Sequence, residues 1–552
     1  MNSLVHNYCR VSFIYEKQIY HEVITSICLS QQRKIFSRSD KIISYVLIII
    51  IESKETRNDQ FEIPKPVLIT MLSKHINNLK INLISKRMLC ISSIMYEKKR
   101  MNPILRTLKV LGNDFKALSP NFQESQLKAL ESFPSYTDVL VIGGGIMGTS
   151  IAYWLREKSG NKGVETTVIE KDPTFSKSST VLSVGGLRQQ FSLQENIQMS
   201  LFGAEFLRTL KNRFGSDADV CFTPNGYLTL AGEDGAHQLL DNHKLQKELG
   251  ANNIILTKDQ LKQRFSWLHT DDIELGCLGL DKEGWFDPWS LLNLMKMGAT
   301  NLGTRFIHGE VVDFLFSEND ITVSGQEEAK YVGTNEAIIQ LPNGEKKSIT
   351  FSICILAAGS DSNEIAKLVK IGSGTGILSV PLPVEKRKRY VYNFACQGEL
   401  PGINTPLTVD RTGTYFRRDG LGGRFIAGLS PFPSEEPKTD NLDVDYKYFD
   451  DQIWPTLAKR VPVFENIKVL SGWSGYYDYN YYDQNGIIGQ HPYYTNFFIA
   501  TGFSGHGIQQ APAVGRAISE LILDGKYQTI DLTRLGFDRL IVDKPMYEVG
   551  II

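Results

Sequence analysis

From about residue 136 onward, short continuous apolar runs bounded by glycine alternate with longer stretches in which apolar residues recur every three or four positions. That alternation of strand-like and helix-like periods is the texture of an α/β protein. The runs at 139–142, 166–170 and 352–357 read as buried strands, and 149–158 and 508–525 carry helical spacing, the second despite Pro512. Residues 221–300 and 375–480 have a different pattern, with many aromatics and brief apolar–polar alternation such as 390–394, which suits an antiparallel sheet with one packed face. Strands of the first kind are far apart in the chain. One domain is therefore expected from residues 136–220, 300–374 and 484–540, interleaved with a second from 221–299 and 375–483.

The first 130 residues lack this order. Their longest apolar run, 42–51, is interrupted by Ser44 and falls short of the roughly 20 residues a membrane-spanning helix needs. Residues 88–120 set Lys98, Lys99, Arg100, Arg106 and Lys109 among apolar and hydroxyl residues, in the manner of an organelle-targeting presequence or of a solvated basic helix. An extension that targets the chain or stays disordered is the expectation for 1–130.

Composition narrows the function. The 552 residues, 42% of them hydrophobic, suffice for several cores. Sixty basic residues against 61 acidic ones, with no long run of one sign, argue against a nucleic-acid partner. The seven cysteines, an odd number without a C-x-x-C pair, support neither a disulfide framework nor a zinc site. No histidine pair has the H-E-x-x-H spacing, and no metal is expected.

Candidate chemistry begins at D-V-L-V-I-G-G-G-I-M-G, 138–148. A buried strand feeds a glycine turn and then a helix. Gly143 permits the tight turn, Gly145 lets backbone approach a pyrophosphate, and Gly148 lets the helix pack close to the strand. Phosphate oxygens favour the free N–H groups and positive end of such a helix. Glu170 closes the next strand, where a carboxylate accepts hydrogen bonds from ribose hydroxyls. Two further segments separate a flavin dinucleotide from a nicotinamide one. The strand running to Gly359 ends in small residues that admit a nucleotide close to backbone, although alone it equally fits a core strand reaching a turn. Gly502, Gly505, His506 and Gly507 precede a long helix whose N-terminus can stabilise negative charge on a reduced flavin.

Taken together, the glycine turn at 143–148, I-L-A-A-G at 355–359 and A-T-G-F-S-G-H-G at 500–507 resemble, in order and spacing, the D-amino-acid oxidase and sarcosine oxidase superfamily of FAD enzymes. Within it, 178–198, 283–289, 382–392 and 475–486 resemble a mitochondrial group linked to assembly of respiratory complex I. The resemblance implies a D-amino-acid oxidase-like fold, α/β, with a Rossmann-like FAD-binding domain interleaved with an antiparallel-sheet substrate domain. It implies that Gly143, Gly145, Gly148 and Glu170 hold the ADP half of FAD, that Ser178, Ser179 and Thr180 lie near its pyrophosphate or flavin, and that Gly502, Gly505, His506 and Gly507 face the isoalloxazine. Relatives that tether flavin use a cysteine near 474–478 or a histidine within 176–192; neither occurs here, so FAD is expected to be non-covalent. Amine-oxidising members carry a basic residue just after the G-H-G turn, where this chain has Gln509.

For an amine or carboxylate substrate, Arg188, Arg389, Arg417 and Arg418 are candidate anion grips, with Arg188 and Arg417 preferred. His506 is the nearest candidate base, although its place in a glycine turn favours a structural or flavin-contacting role, and some of Tyr476, Tyr477, Tyr479, Tyr481 and Tyr482 are expected to line an aromatic pocket. By the same resemblance the expected location is the mitochondrial matrix or the matrix face of the inner membrane, with complex I subunits or assembly intermediates as partners.

Overall fold

The computed structural model describes residues 133–160, 163–321, 329–398 and 401–550. The expectations for 1–130 lie outside the described residues. Tyr136–Ile142 is the centre of the first sheet, flanked by Lys346–Leu356 and Thr166–Glu170, both parallel to it. Phe497–Thr501 and Arg305–His308 extend the parallel core, Ile487–Gln490 closes one edge antiparallel, and a long hairpin, Glu310–Ile321 and Ala329–Gln340, continues from Lys346–Leu356. Successive side chains of the central strand point to opposite faces, and both are covered. Val139 and Val141 pack with Ile151, Leu155, Ala511 and Val514 of two helices, while Leu140 and Ile142 pack with Phe351, Ile349 and hairpin residues such as Phe314. Burial on both faces is why the strand reads as an unbroken apolar run.

The helices Ile146–Ser159 and Gly507–Asp524 cross at close range. A Cβ on Gly515 would meet Ser150 Oγ at 2.2 Å, and Ser150 Oγ donates to Ala511 O at 2.7 Å. Small residues at the crossing bring the N-termini of both helices to one end of the sheet.

The second sheet runs Ile467–Asn480, Val384–Cys396, Arg424–Gly428, Tyr415–Arg418, Leu407–Val409, Tyr227–Ala231, Leu275–Gly279, Asn253–Thr257. Every neighbouring pair is antiparallel except Leu407–Val409 with Tyr227–Ala231. One face is sealed by Tyr392, Phe394, Phe416, Phe425, Phe449 and Phe464. The other turns toward the first sheet across a cavity. Among the described residues no helix is long and apolar enough to cross a membrane, and no cluster has a metal-ligand arrangement.

Candidate functional site

The cavity between the sheets has a volume of about 870 Å³. Its first half is built from backbone. Gly143 adopts a φ of +101°, and a Cβ there would meet Ala357 O at 2.4 Å, so both the turn and the close approach of the neighbouring strand exclude a side chain. At Gly148 a Cβ would sit 2.0 Å from Gly143 O; this glycine lies behind the turn rather than on the cavity. Gly145, the residue before the helix, lines the cavity, and its Cβ direction is open to 3.4 Å from Thr180 Oγ1. No side chain caps that helix from Gly145. Thr180 Oγ1 instead accepts the N–H of Ile146 at 3.1 Å, Ser178 and Ser179 line the wall beside it, and the Ser179 hydroxyl donates to Tyr476 O.

Glu170 is held as an acceptor. Its Oε2 takes the Gly144 N–H at 2.7 Å and its Oε1 the Asp172 N–H at 2.8 Å. Burial raises its pKa, opposed by those two backbone bonds. Beyond it, Asp361 is gripped by Lys171 and by Lys386, the latter at 2.8 Å, a charged cluster lining the same end. Its members come from three separate segments, so no local motif announces it. Gly359 also lines this region at a φ of +55°.

At the other half, the turn 501–507 is fastened from below by Asp478. This buried carboxylate accepts from the N–H groups of Gly502 and Phe503 at 2.7 and 3.1 Å, and burial raises its pKa. Gly502 therefore sits behind the surface, while Gly505, His506 and Gly507 line the cavity. Arg188 Nη2 lies 3.2 Å from His506 Nε2. A guanidinium only donates, so Nε2 accepts and the ring proton is on Nδ1. Burial and then the Arg188 charge push the His506 pKa down to about 3. His506 is thus neutral and its Nε2 lone pair is engaged, which removes it as the base that the sequence suggested.

Arg188 is buried against the rings of Phe191 and Tyr227, at 5.1 and 5.9 Å from their centres, and lines the cavity. Gln509 Oε1 accepts the Arg188 N–H at 2.8 Å and so positions the arginine segment. Behind it, Glu283 is fully buried, with Gln189 N–H and Gln190 Nε2 each donating at 2.8 Å, and burial raises its pKa to about 7. Arg389 lines the cavity; Arg417 and Arg418 do not. Arg417 donates to Val184 O and Arg418 to Pro401 O, so both are committed to backbone carbonyls. Of the five tyrosines, Tyr476, Tyr477 and Tyr479 line the cavity, and Tyr481 and Tyr482 face elsewhere.

A two-sheet fold with a glycine turn, an acid at the second strand and a second helix N-terminus defines a flavin-dinucleotide class of protein. The family model for FAD dependent oxidoreductase matches residues 138–521, and the chain belongs to that family. It is 48% identical over 480 residues to the FAD-dependent oxidoreductase domain-containing protein 1 homolog of Drosophila melanogaster, covering 82% of this chain and 92% of that one. The Xenopus laevis FAD-dependent oxidoreductase domain-containing protein 1 is 45% identical over 464 residues, covering 80% and 93%. The L-proline dehydrogenase structure from P. horikoshii superposes with a TM-score of 0.63 at 24% identity, covering 75% of this chain and all of that one, and shows the shared fold.

The residues present fit FAD. The helix N-terminus after Gly145 opens on the cavity, Glu170 presents carboxylate oxygens beside it, and the helix behind His506 supplies positive potential at the far end.

Proposed function

We propose that this chain is a mitochondrial flavoprotein that oxidises the C–H bond beside the nitrogen of a small, carboxylate-bearing amine, and that its FAD-loaded body is required for assembly of respiratory complex I. The observation that carries the enzymatic half is the buried Arg188 guanidinium on the cavity wall, next to the turn ending at His506. FAD, when bound, would supply the acceptor for one hydride, that is, for the two electrons and the hydrogen that leave the C–H bond. Everything else falls to the chain. Arg188 takes the carboxylate through charge-assisted bonds, Gln509 and Glu283 hold its segment, and the tyrosine wall excludes water. A neutral His506 leaves the cationic character of this end to Arg188.

Non-covalent FAD is supported by the lining itself. Among the described residues it contains no cysteine, and its histidine, His506, has Nε2 directed at Arg188. The assembly half, with complex I subunits or intermediates as partners, rests on the resemblance of 178–198, 283–289, 382–392 and 475–486.

Deleting the gene and assaying assembled complex I tests that half. Loss of complex I that the wild-type chain restores and Gly145→Trp does not is the expected result; intact complex I in the deletion removes the assembly role and leaves the enzyme. For the enzymatic half, acetate is expected to perturb the flavin absorbance of the wild-type holoprotein and not that of Arg188→Gln. Equal responses in the two would overturn it.

A further inference from the structure

The cavity holds a second place built to grip a carboxylate. Pairing of Val384–Cys396 with Ile467–Asn480 sets Arg387 opposite Tyr477 and Glu385 opposite Tyr479, so the arginines at alternate positions 387 and 389 share a face with those two tyrosines. The guanidinium carbon of Arg389 lies 4.7 Å from the Tyr477 ring centre and that of Arg387 3.7 Å from the Tyr479 ring centre. All four residues line the cavity. Into this pair drops Glu436: Arg389 Nη1 and Nη2 donate to its two oxygens at 2.7 and 2.8 Å, and Arg387 Nη1 donates to Oε1 at 2.7 Å. Two parallel bonds to one guanidinium are how a protein recognises the carboxylate of a ligand. Here the carboxylate comes from the protein.

It comes, moreover, on a loop. Residues 429–445 join Arg424–Gly428 to the short helix Tyr446–Tyr448, and Leu429, Ser430, Pro431, Pro433 and Glu436 form part of the cavity wall. The second part of the loop is tied to the sheet, with Tyr476 Oη donating to Thr439 O at 2.9 Å and Lys388 Nζ to Asn441 Oδ1 at 3.2 Å. The first part is tethered through Glu436, and Phe432 near its tip is 67% exposed. With Glu436 seated, Arg389 Nε is still buried without a partner among the described residues. That donor is unused capacity in a site already filled by an acid.

We infer that the Arg387–Arg389 pair is a recognition point for a second acidic group, that Glu436 occupies it until substrate arrives, and that the substrate is an amine bearing two carboxylates, one for Arg188 and one for Arg389. This rests on the reading that Arg188 takes the first. Tyr227, Tyr415 and Tyr477 line the wall of the same cavity. The exchange conserves charge: a carboxylate leaves the arginines as another enters, and Glu436 moves to solvent. Lifting Glu436 without a replacement would leave the largely buried Arg389 uncompensated, while Arg387 keeps Glu385 at 2.7 Å, and an uncompensated buried cation is costly. The loop therefore discriminates for diacids and against monoacids of the same length.

The test uses the FAD-loaded chain with acetate and butyrate as monoacids and succinate and glutarate as diacids, read by flavin absorbance and by calorimetry. Diacids are expected to bind wild type more tightly than monoacids. Glu436→Gln, which frees the pair, is expected to tighten diacids roughly tenfold and leave the acetate effect on flavin absorbance unchanged. Arg389→Gln is expected to erase the diacid preference, and Arg389→Lys, which keeps the charge but not the paired bonds, to restore only part of it. Flavin content and melting temperature of each variant report that it has folded. Diacids binding no better than monoacids to both wild type and Glu436→Gln would overturn the inference. If Glu436→Gln tightens diacids by calorimetry while acetate leaves wild-type flavin unperturbed, the Arg389 site stands and the Arg188 reading falls.

Discussion

The two halves of one cavity are made in opposite ways. The half toward Glu170 is a backbone construction: Gly143 and Gly148 are glycines because neighbouring carbonyl oxygens occupy the space a side chain would need, at 2.4 and 2.0 Å, and the helix beyond Gly145 turns its N-terminus to the cavity. The half toward Arg389 is a side-chain construction, in which arginines and tyrosines from paired strands meet an acid from a distant loop. Backbone recognition suits a ligand that does not change, and side-chain recognition suits one that can. The difference teaches where variation is tolerated: the first half has no slack, whereas in the second, exchanging one residue alters what binds rather than whether the fold forms.

Substitutions break this contrast in a definite order. Gly148→Ala forces a Cβ against Gly143 O, and is expected to abolish flavin binding and to cost about 1–3 kcal/mol in stability, measured by flavin content and chemical denaturation. Glu170→Gln turns one acceptor into a donor facing a backbone N–H. A lost charged acceptor is worth about 1.5–3 kcal/mol, so FAD affinity in equilibrium dialysis should fall roughly 10- to 100-fold with the fold intact. Arg188→Gln is expected to keep full flavin and weaken acetate by a comparable factor, which would separate the two halves cleanly. Loss of flavin in Arg188→Gln would instead join them.

In pH dependence, two groups at the substrate half pull in opposite directions and offset each other in wild type. His506 has a folded pKa of about 3 against an ordinary 6.5, so below pH 6.5 the unfolded chain binds a proton that the folded chain refuses, and stability falls as pH drops toward 3. Glu283 has a folded pKa of about 7 against an ordinary 4.5; its proton is kept by the folded chain, and the stability this gives, full below pH 4.5, is lost as pH rises to 7. Glu283→Gln removes the second slope alone. Urea midpoints of that variant should rise more steeply between pH 4.5 and 6.5 than those of wild type.

How much of this was legible in the sequence follows the same division. The first half was readable because a glycine turn imposes its residues within a few positions of one another, and because a strand buried on both faces leaves an unbroken apolar run. The D-amino-acid oxidase-like fold followed from three such segments in order. The second half depends on register between strands nearly 90 residues apart, on the antiparallel pairing that sets Arg387 opposite Tyr477, and on Glu436 descending from a loop. In sequence, Arg389 is one of four candidate anion grips, and nothing near it names Arg387, Tyr477 or Glu436 as its partners. Arg417 looked as promising as Arg188, yet its position on a short strand turns it to Val184 O. What disfavours His506 as a base is hidden for a related reason: its neighbour in space, Arg188, is 318 residues away in sequence and takes the lone pair that a base would need.

Both halves of the cavity serve one bound group, FAD held without a covalent bond. Purified protein is expected to be yellow, with equimolar flavin that passes into the soluble fraction when the chain is denatured with acid. A colourless protein that FAD cannot reconstitute, or flavin that stays with the denatured chain, would contradict it.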